Sequence, residues 1–424
     1  MPEAVPHPRY EVVLRHARLA SGAIVDLGIA AGRICARGPQ LAASGSVELD
    51  AAGHLTLPGF VDPHLHLDKA LSRGELREPP ETLAEAIAAS RGLKAHWTEA
   101  AIEARATRAV TMALRAGTTA LRTHVDVDLS YGLRGFHALC RVREQFSGQV
   151  RIQIVAFPQE GLDPAGKVEG LLRRALREGA DAIGGLPALS PDPRVHIDRL
   201  FAIAKEHGAD IDMHVDESDS PLDLSIEYLA ERTQRDGYEG RVVAGHCTSL
   251  AAVDEDTLHR VLAAVGAAGI SLVTLPSTNL YLQGRGDRPP VRRGLLPVRA
   301  AVAAGINVAY GSDNIRDAFT PFGNARMLET GLVLGHAAHM GSPAELRSIV
   351  RMATHNGARA LRLPDYGLDE GCRADLVVLD AASPEDALVA VAPALWVVAG
   401  GKPVAGLWAH RGPGAADARL YGRG

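Results

Sequence analysis

Residues 57–71, L-P-G-F-V-D-P-H-L-H-L-D-K-A-L, decide the fold. The stretch starts as an apolar run of the buried kind and closes with His64 and His66 one residue apart. On a strand that spacing points both imidazoles to one side. Two neutral imidazoles on one face are half of a metal site. The chain on either side must supply the other half and a scaffold that brings it close.

Toward the C-terminus the pattern of apolar strand, loop and amphipathic helix repeats. Strands are expected around residues 57–66, 120–128, 151–159, 180–186, 211–215, 241–246, 270–276 and 306–312, the number a closed parallel barrel needs. Between them, Ile102, Ala106, Val110 and Ala113 follow helical spacing behind a Thr98 cap, and Val168, Leu171, Leu172, Ala175 and Leu176 form a second stripe. Leu222, Ile226 and Leu229 form a third. Before residue 57 come short β-like pieces, E-V-V-L-R-H-A-R-L, A-I-V-D-L-G-I-A and G-R-I-C-A, and the same pattern returns after residue 363 in A-D-L-V-V-L-D and L-W-V-V-A-G-G-K-P-V. The expected architecture is therefore α/β: a (β/α)8 TIM-like barrel over residues 57–363, inserted in a small β-sandwich domain built from residues 1–56 and 364–424.

Composition narrows the function. In 424 residues, 46% are hydrophobic and the formal charge of −5 is spread without blocks, which argues against a nucleic-acid groove or an anionic membrane as partner. A small, neutral or weakly charged ligand fits better. Cys35, Cys140, Cys247 and Cys372 form no C-x-x-C pair, as expected of a cytoplasmic protein without disulfides. The first ten residues lack the apolar core of a signal peptide. Residues 261–284 carry no charge, but Gly269 and Pro276 interrupt them, and they read as a helix end followed by a buried strand rather than a membrane span.

In a barrel, chemistry sits at the carboxyl ends of the strands. Of seventeen histidines, His64, His66, His124, His214 and His246 end expected strands, and the remainder read as structural or surface residues. Asp313 follows the eighth strand, and Gln159 and Glu160 close the third. Imidazoles and a carboxylate converging on a barrel mouth match the ligands of a catalytic divalent metal that keeps a position open for water.

The ordered motifs V-D-P-H-L-H-L-D-K, R-T-H-V-D-V, V-A-F-P-Q-E-G, H-V-D-E, G-H-C, N-L-Y-L-Q-G-R and G-S-D-N-I-R-D-A-F-T-P-F-G run along nearly the whole chain. Through them the sequence resembles the amidohydrolase superfamily, and within it the bacterial cytosine deaminase group and N-isopropylammelide isopropylaminohydrolase. The resemblance implies metal ligands His64, His66, His214 and Asp313, with Glu217 as the proton-shuttling acid, His246 beside the reacting water and Gln159 on the substrate's amide edge. Glu217 lies three residues past His214, so it comes from the loop and can reach a substrate rather than the metal. Binuclear members carry a carboxylated lysine after strand four; here that region reads G-G-L-P-A-L-S, so one divalent metal, Zn²⁺ or Fe²⁺, is expected. The implied reaction is hydrolytic: hydroxide generated at the metal attacks a ring carbon bearing an amine, and ammonia leaves. The chain has no P-C-x-x-C of the unrelated zinc deaminases and no H-E-x-x-H, G-x-S-x-G or Walker loop.

The resemblance thins after strand eight. Cytosine deaminases typically show H-D-D followed by a tryptophan, whereas this chain has Ser312, Asp313, Asn314, Arg316 and Phe319. The metal ligand is kept and the substrate wall is changed: Asn314 offers a neutral donor and acceptor, and Arg316 a fixed charge for an anionic or keto-rich ring. Alternatives to a cytosine-like pyrimidine are an N-alkyl aminotriazine, with an alkylamine as leaving group, and a non-catalytic scaffold. The expected partner is a small heterocyclic substrate, with no nucleic acid and no membrane, and the expected assembly is a homo-oligomer.

Overall fold

The structure, a computed structural model, describes residues 10–222 and 224–404. The parts of the expected terminal domain at 1–9 and 405–424 lie outside the described residues, and 1–9 make up most of the N-terminal segment without an apolar core. Both ends of the described chain build one mixed sheet. From the N-terminal side come β1 (Tyr10–Arg18), β2 (Ile24–Ala30), β3 (Arg33–Gly38), β4 (Gly45–Asp50) and β5 (Leu55–Pro58). The barrel strands are β6 (Phe60–Leu65), β7 (Thr118–Asp126), β8 (Arg151–Phe157), β9 (Ala182–Ile183), β10 (Asp210–Val215), β11 (Val242–His246), β12 (Ser271–Thr274) and β13 (Val308–Tyr310). The chain then returns to the first sheet with β14 (Leu376–Leu379), β15 (Ala394–Ala399) and β16 (Lys402–Pro403).

All eight barrel strands are parallel and follow one another in sequence order. Helices cover the outside, as the sequence stripes predict. In Glu99–Arg115 the Thr98 side chain accepts from Ala101 N, and Ile102, Ala106, Val110 and Ala113 are buried. Leu222 departs from its expected stripe: it precedes the helix Ser225–Asp236 and is 88% exposed, while Ile226 and Leu229 are buried.

The expected first strand, 57–66, divides at Gly59. Leu55–Pro58 pairs antiparallel with β14 in the terminal sheet, and Phe60–Leu65 pairs with β7 in the barrel. Only glycine fits at the crossing, because a Cβ there would lie 2.2 Å from Thr119 Oγ1. The two layers share β14, whose L-V-V-L is buried on both faces. Leu376 and Val378 enter the core of the terminal sheet, and Val377 and Leu379 enter the barrel's outer core.

The barrel closes between its first and last strands. Asp313 N donates to His64 O at 2.8 Å and His66 N donates to Asp313 O at 3.1 Å, a parallel bridge centred on Leu65 and Asp313. Gly311 permits this seam, since a Cβ there would sit 2.5 Å from His64 O. Among the described residues no helix is long and apolar enough to cross a membrane, and residues 261–284 fold as the end of Glu255–Ala267, β12 and the helix Pro276–Leu282.

Candidate functional site

Strand ends bring His64, His66, His124, His214, His246 and Asp313 into one buried cluster, each no more than 4% exposed. His66 Nε2 lies 3.1 Å from His214 Nε2 and 3.4 Å from Asp313 Oδ1, and His64 Nε2 lies 3.7 Å from the same oxygen. Two donors each about 2.1 Å from a tetrahedral ion stand roughly 3.4 Å apart, so these separations suit a shared cation. His64 Nε2 and both Asp313 carboxylate oxygens are buried without a hydrogen-bond partner, a costly arrangement that a divalent ion would relieve. His64, His214, His246 and Asp313 also place one donor atom each within 4.8 Å of one another, which makes His246 the competitor of His66 for the fourth ligand position.

Burial, reinforced by neighbouring imidazoles and, for His66, by Lys69, pushes His64, His66 and His214 well below the ordinary histidine range. Neutral imidazole is the ligating form. Two members of the cluster hold left-handed backbone, His246 at φ 67° and Asp313 at φ 57°. Strain of this kind persists where the surroundings over-determine it, and it collects at functional sites.

Glu217 approaches from the loop after β10, buried, with Oε1 3.2 Å from His246 Nδ1. Burial and the nearby Asp313 carboxylate push its carboxyl well above the usual range. Asn279 Nδ2 stands 3.0 Å from the same His246 nitrogen; it belongs to the motif N-L-Y-L-Q-G-R, yet nothing in its spacing marks it as a site residue. An apolar wall flanks the cluster. Phe157 stacks on His214 at 4.3 Å between ring centroids and packs with Leu186, Leu282, Ala318, Phe319 and, from the helix Leu83–Lys94, Ala86 and Ile87.

Gln159 and Phe319 reach this region. Gln159 is buried beside Lys69, whose Nζ donates to its Oε1 at 3.2 Å and lies 5.4 Å from the Phe319 ring centre. Asn314 is buried and its Nδ2 donates to Asp317 Oδ2 at 2.8 Å. Arg316 does not join them. It is exposed, with Nε donating to Gly323 O at 2.8 Å, because its left-handed φ of 49° carries the side chain outward on the loop. Arg316 thus takes the solvent-facing one of the two positions that its residue type leaves open.

His124, at the end of β7, lies 4.0 Å from the His64 ring centre, and its Nε2 is 3.2 Å from Asp212 Oδ1. Arg122 already pairs with Asp212 at 2.9 Å, so that carboxylate is neutralised from within the barrel.

Residues 47–405 match the amidohydrolase family. The chain belongs to that family. As an amidohydrolase it is an enzyme acting on C–N bonds, of the deaminase type, and the family binds divalent metal. It is 32% identical to N-isopropylammelide isopropyl amidohydrolase of Pseudomonas sp. strain ADP over 93% of this chain and 96% of that one. It is 34% identical to a pterin deaminase of Rhizobium rhizogenes over 78% of this chain and 76% of that one. Among solved structures it superposes on 5-methylcytosine deaminase from Klebsiella pneumoniae liganded with 5-fluorocytosine with a TM-score of 0.88. That pair is 34% identical over 92% of this chain and 97% of the other. N-isopropylammelide isopropylaminohydrolase from Burkholderia multivorans gives a TM-score of 0.82, with 32% identity over 93% of this amidohydrolase and 97% of the other chain.

Proposed function

We propose that this amidohydrolase removes ammonia hydrolytically from an aminated N-heterocycle, a cytosine-like pyrimidine or a related ring. The observation that carries the reading is the buried pair of Glu217 and His246, 3.2 Å apart, set beside three imidazoles and a carboxylate with unpaired donor atoms. One divalent cation, Zn²⁺ or Fe²⁺, would be held by His64, His66, His214 and Asp313. When bound, it supplies the acidity that makes water a nucleophile at neutral pH.

The protein groups divide the remaining work. His246, fixed by Asn279, orients the attacking water and takes its proton. Glu217 delivers a proton to the ring nitrogen next to the amine-bearing carbon, and the leaving nitrogen departs as ammonia once protonated. Gln159 hydrogen-bonds the ring edge, while Phe157, Phe319 and the neighbouring Asn314 form the wall. Closing this wall against the cluster keeps bulk water out and strengthens each polar contact within it. The chemistry is assigned to the barrel, from Phe60 onward within the expected span 57–363, and the terminal sheet to its support.

A second reading has its own support. Identity to N-isopropylammelide isopropyl amidohydrolase extends over 93% of the chain, and removal of an alkylamine from an aminotriazine uses the same steps. A panel of aminated pyrimidines, pterins and N-alkyl triazines, assayed for released ammonia and for released alkylamine, separates the two. Release of neither from any ring, by protein loaded with Zn²⁺ or Fe²⁺, would refute both.

A further inference from the structure

The loop that carries Glu217 and the loop that follows His246 leave neighbouring strands. Val215, the last residue of β10, stands opposite His246, the last of β11, and Cys247 N donates to Val215 O at 2.9 Å. Both chains then turn through left-handed backbone, Asp216 at φ 49° and Cys247 at φ 50°. Just past the second turn lie Thr248 and Ser249, each no more than 1% exposed. They are buried hydroxyls that the proposed reaction leaves unused.

Their contacts converge on the two residues that flank Glu217. Ser218 N donates to Thr248 Oγ1 at 2.9 Å. Thr248 Oγ1 lies 2.9 Å from Ser218 O and 3.2 Å from Asp216 O, and Ser249 Oγ lies 3.0 Å from Asp216 O and 3.2 Å from Ser218 O. Each hydroxyl has one proton to give. Two protons therefore serve two carbonyls, and the shorter distances pair Thr248 with Ser218 and Ser249 with Asp216. Ser249 N adds a further bond to Asp216 O at 3.1 Å. On the other side, the Asp216 carboxylate accepts from Ser225 N at 2.8 Å and from Ile226 N at 3.0 Å, which ties the same turn to the start of the helix Ser225–Asp236. The carbonyl of one peptide unit joined to Glu217 and the N–H of the other are thus both held, and the acid keeps only its side-chain torsions.

We propose that Thr248 and Ser249 are positioning residues for the proton relay. They fasten the loop that bears the acid to the loop that follows the base, and so hold Glu217 Oε1 at 3.2 Å from His246 Nδ1. Proton transfer tolerates little displacement: a shift of about 1 Å can cost roughly 100-fold in rate. Neither hydroxyl is assigned a contact with the ring or the cation. The inference rests on the reading of Glu217 as the proton relay and adds to it what places that acid.

The test uses Zn²⁺-loaded protein and the best ring of the panel. Thr248→Val keeps the branched shape and removes a hydroxyl that both donates and accepts. It should lower kcat about 10–100-fold with KM and metal content unchanged, and Thr248→Ser, which keeps the hydroxyl, should restore turnover. The deciding comparison repeats Thr248→Val in the Glu217→Gln background. There it should add no further loss, because the group that it positions no longer carries the proton. If Thr248 only supported the fold, the same factor would be lost in both backgrounds. Should Thr248→Val not fold, Ser249→Ala takes its place in the same two backgrounds. Equal losses in both backgrounds, a native kcat in Thr248→Val, or a Thr248→Ser variant as slow as Thr248→Val would each overturn the proposal while a slow Glu217→Gln leaves the relay in place. Near-native turnover in Glu217→Gln would overturn the relay itself, and turnover of no ring would overturn the deaminase reading, each taking this proposal with it.

Discussion

Asp313 meets His64 in two ways: its backbone N–H donates to His64 O at 2.8 Å, closing the barrel, and its carboxylate stands 3.7 Å from His64 Nε2 in the candidate metal cluster. The seam that completes the fold is thus the seam that assembles the ligands. Substitution at 313 must separate these roles. Asp313→Asn tolerates the left-handed backbone and keeps the seam while removing the anionic ligand. We expect it to fold with near-native stability and to lose metal affinity by about 10–100-fold or more. Asn314→Ala should leave metal content intact and change substrate preference. Equal loss of metal in both variants, read by elemental analysis, would contradict the division.

His66 and His246 compete for the fourth ligand position. His66 Nε2 sits 3.1 Å from His214 Nε2, whereas His246 Nδ1 is engaged by Glu217 and Asn279. His66→Ala should therefore deplete the metal, and His246→Asn should retain one ion per chain with a lower kcat. The reverse pattern would exchange their assignments, and two ions per wild-type chain would refute the single site.

Glu217→Gln isolates proton transfer from binding. Glutamine keeps size and hydrogen bonding but carries no transferable proton. Turnover on the best substrate should drop about 10²–10⁴-fold, with KM little changed and metal retained. Near-native kcat in this variant would reduce Glu217 to a buried loop acid and remove the proton relay.

These assignments were legible in the sequence to unequal depth. Strand ends could be located because H-x-H, R-T-H and A-G-H each close an apolar run, and position at the carboxyl end of a barrel strand already filters polar residues. The division at Gly59 was not legible, since L-T-L-P and F-V-D-P-H-L form one apolar run with no change of period; the crossing is set by contact with Thr119. The direction of Arg316 was not legible, because an arginine's residue type suits solvent and an anionic ring equally and the loop backbone decides between them. Lys69 could have been noticed, as D-K follows H-L-H-L directly and two carboxylates, Asp126 at the end of β7 and Asp128 just beyond it, stand two residues apart. Lys94, which shares Asp126 with Lys69, could not, because a lysine in a half-polar helix looks like any solvated one until the helix is folded over the mouth.

His196 provides the last prediction, on stability rather than catalysis. It lies on the helix Pro193–His207, 1% exposed, with neither ring nitrogen hydrogen-bonded. Burial, aided by the positive charge of Arg199, lowers its pKa to about 4. The unfolded chain, with an ordinary histidine near 6.5, then binds more protons than the folded one between those values, so stability rises with pH across the window. The contribution is fully present above about pH 6.5 and is lost as pH falls toward 4. Between pH 7.5 and 4.5 the ring should cost roughly 2–3 kcal/mol, at about 1.36 kcal/mol per unit. His196→Leu removes the titration and keeps an apolar side chain against Gly185, where the histidine ring now packs. Urea midpoints measured at pH 7.5, 6.5, 5.5 and 4.5 should fall less steeply in the variant than in the wild-type chain, with the difference growing below pH 6.5. Parallel curves would mean that His196 takes up its proton in the folded state at an ordinary pH, and that its burial is relieved by local opening of the helix.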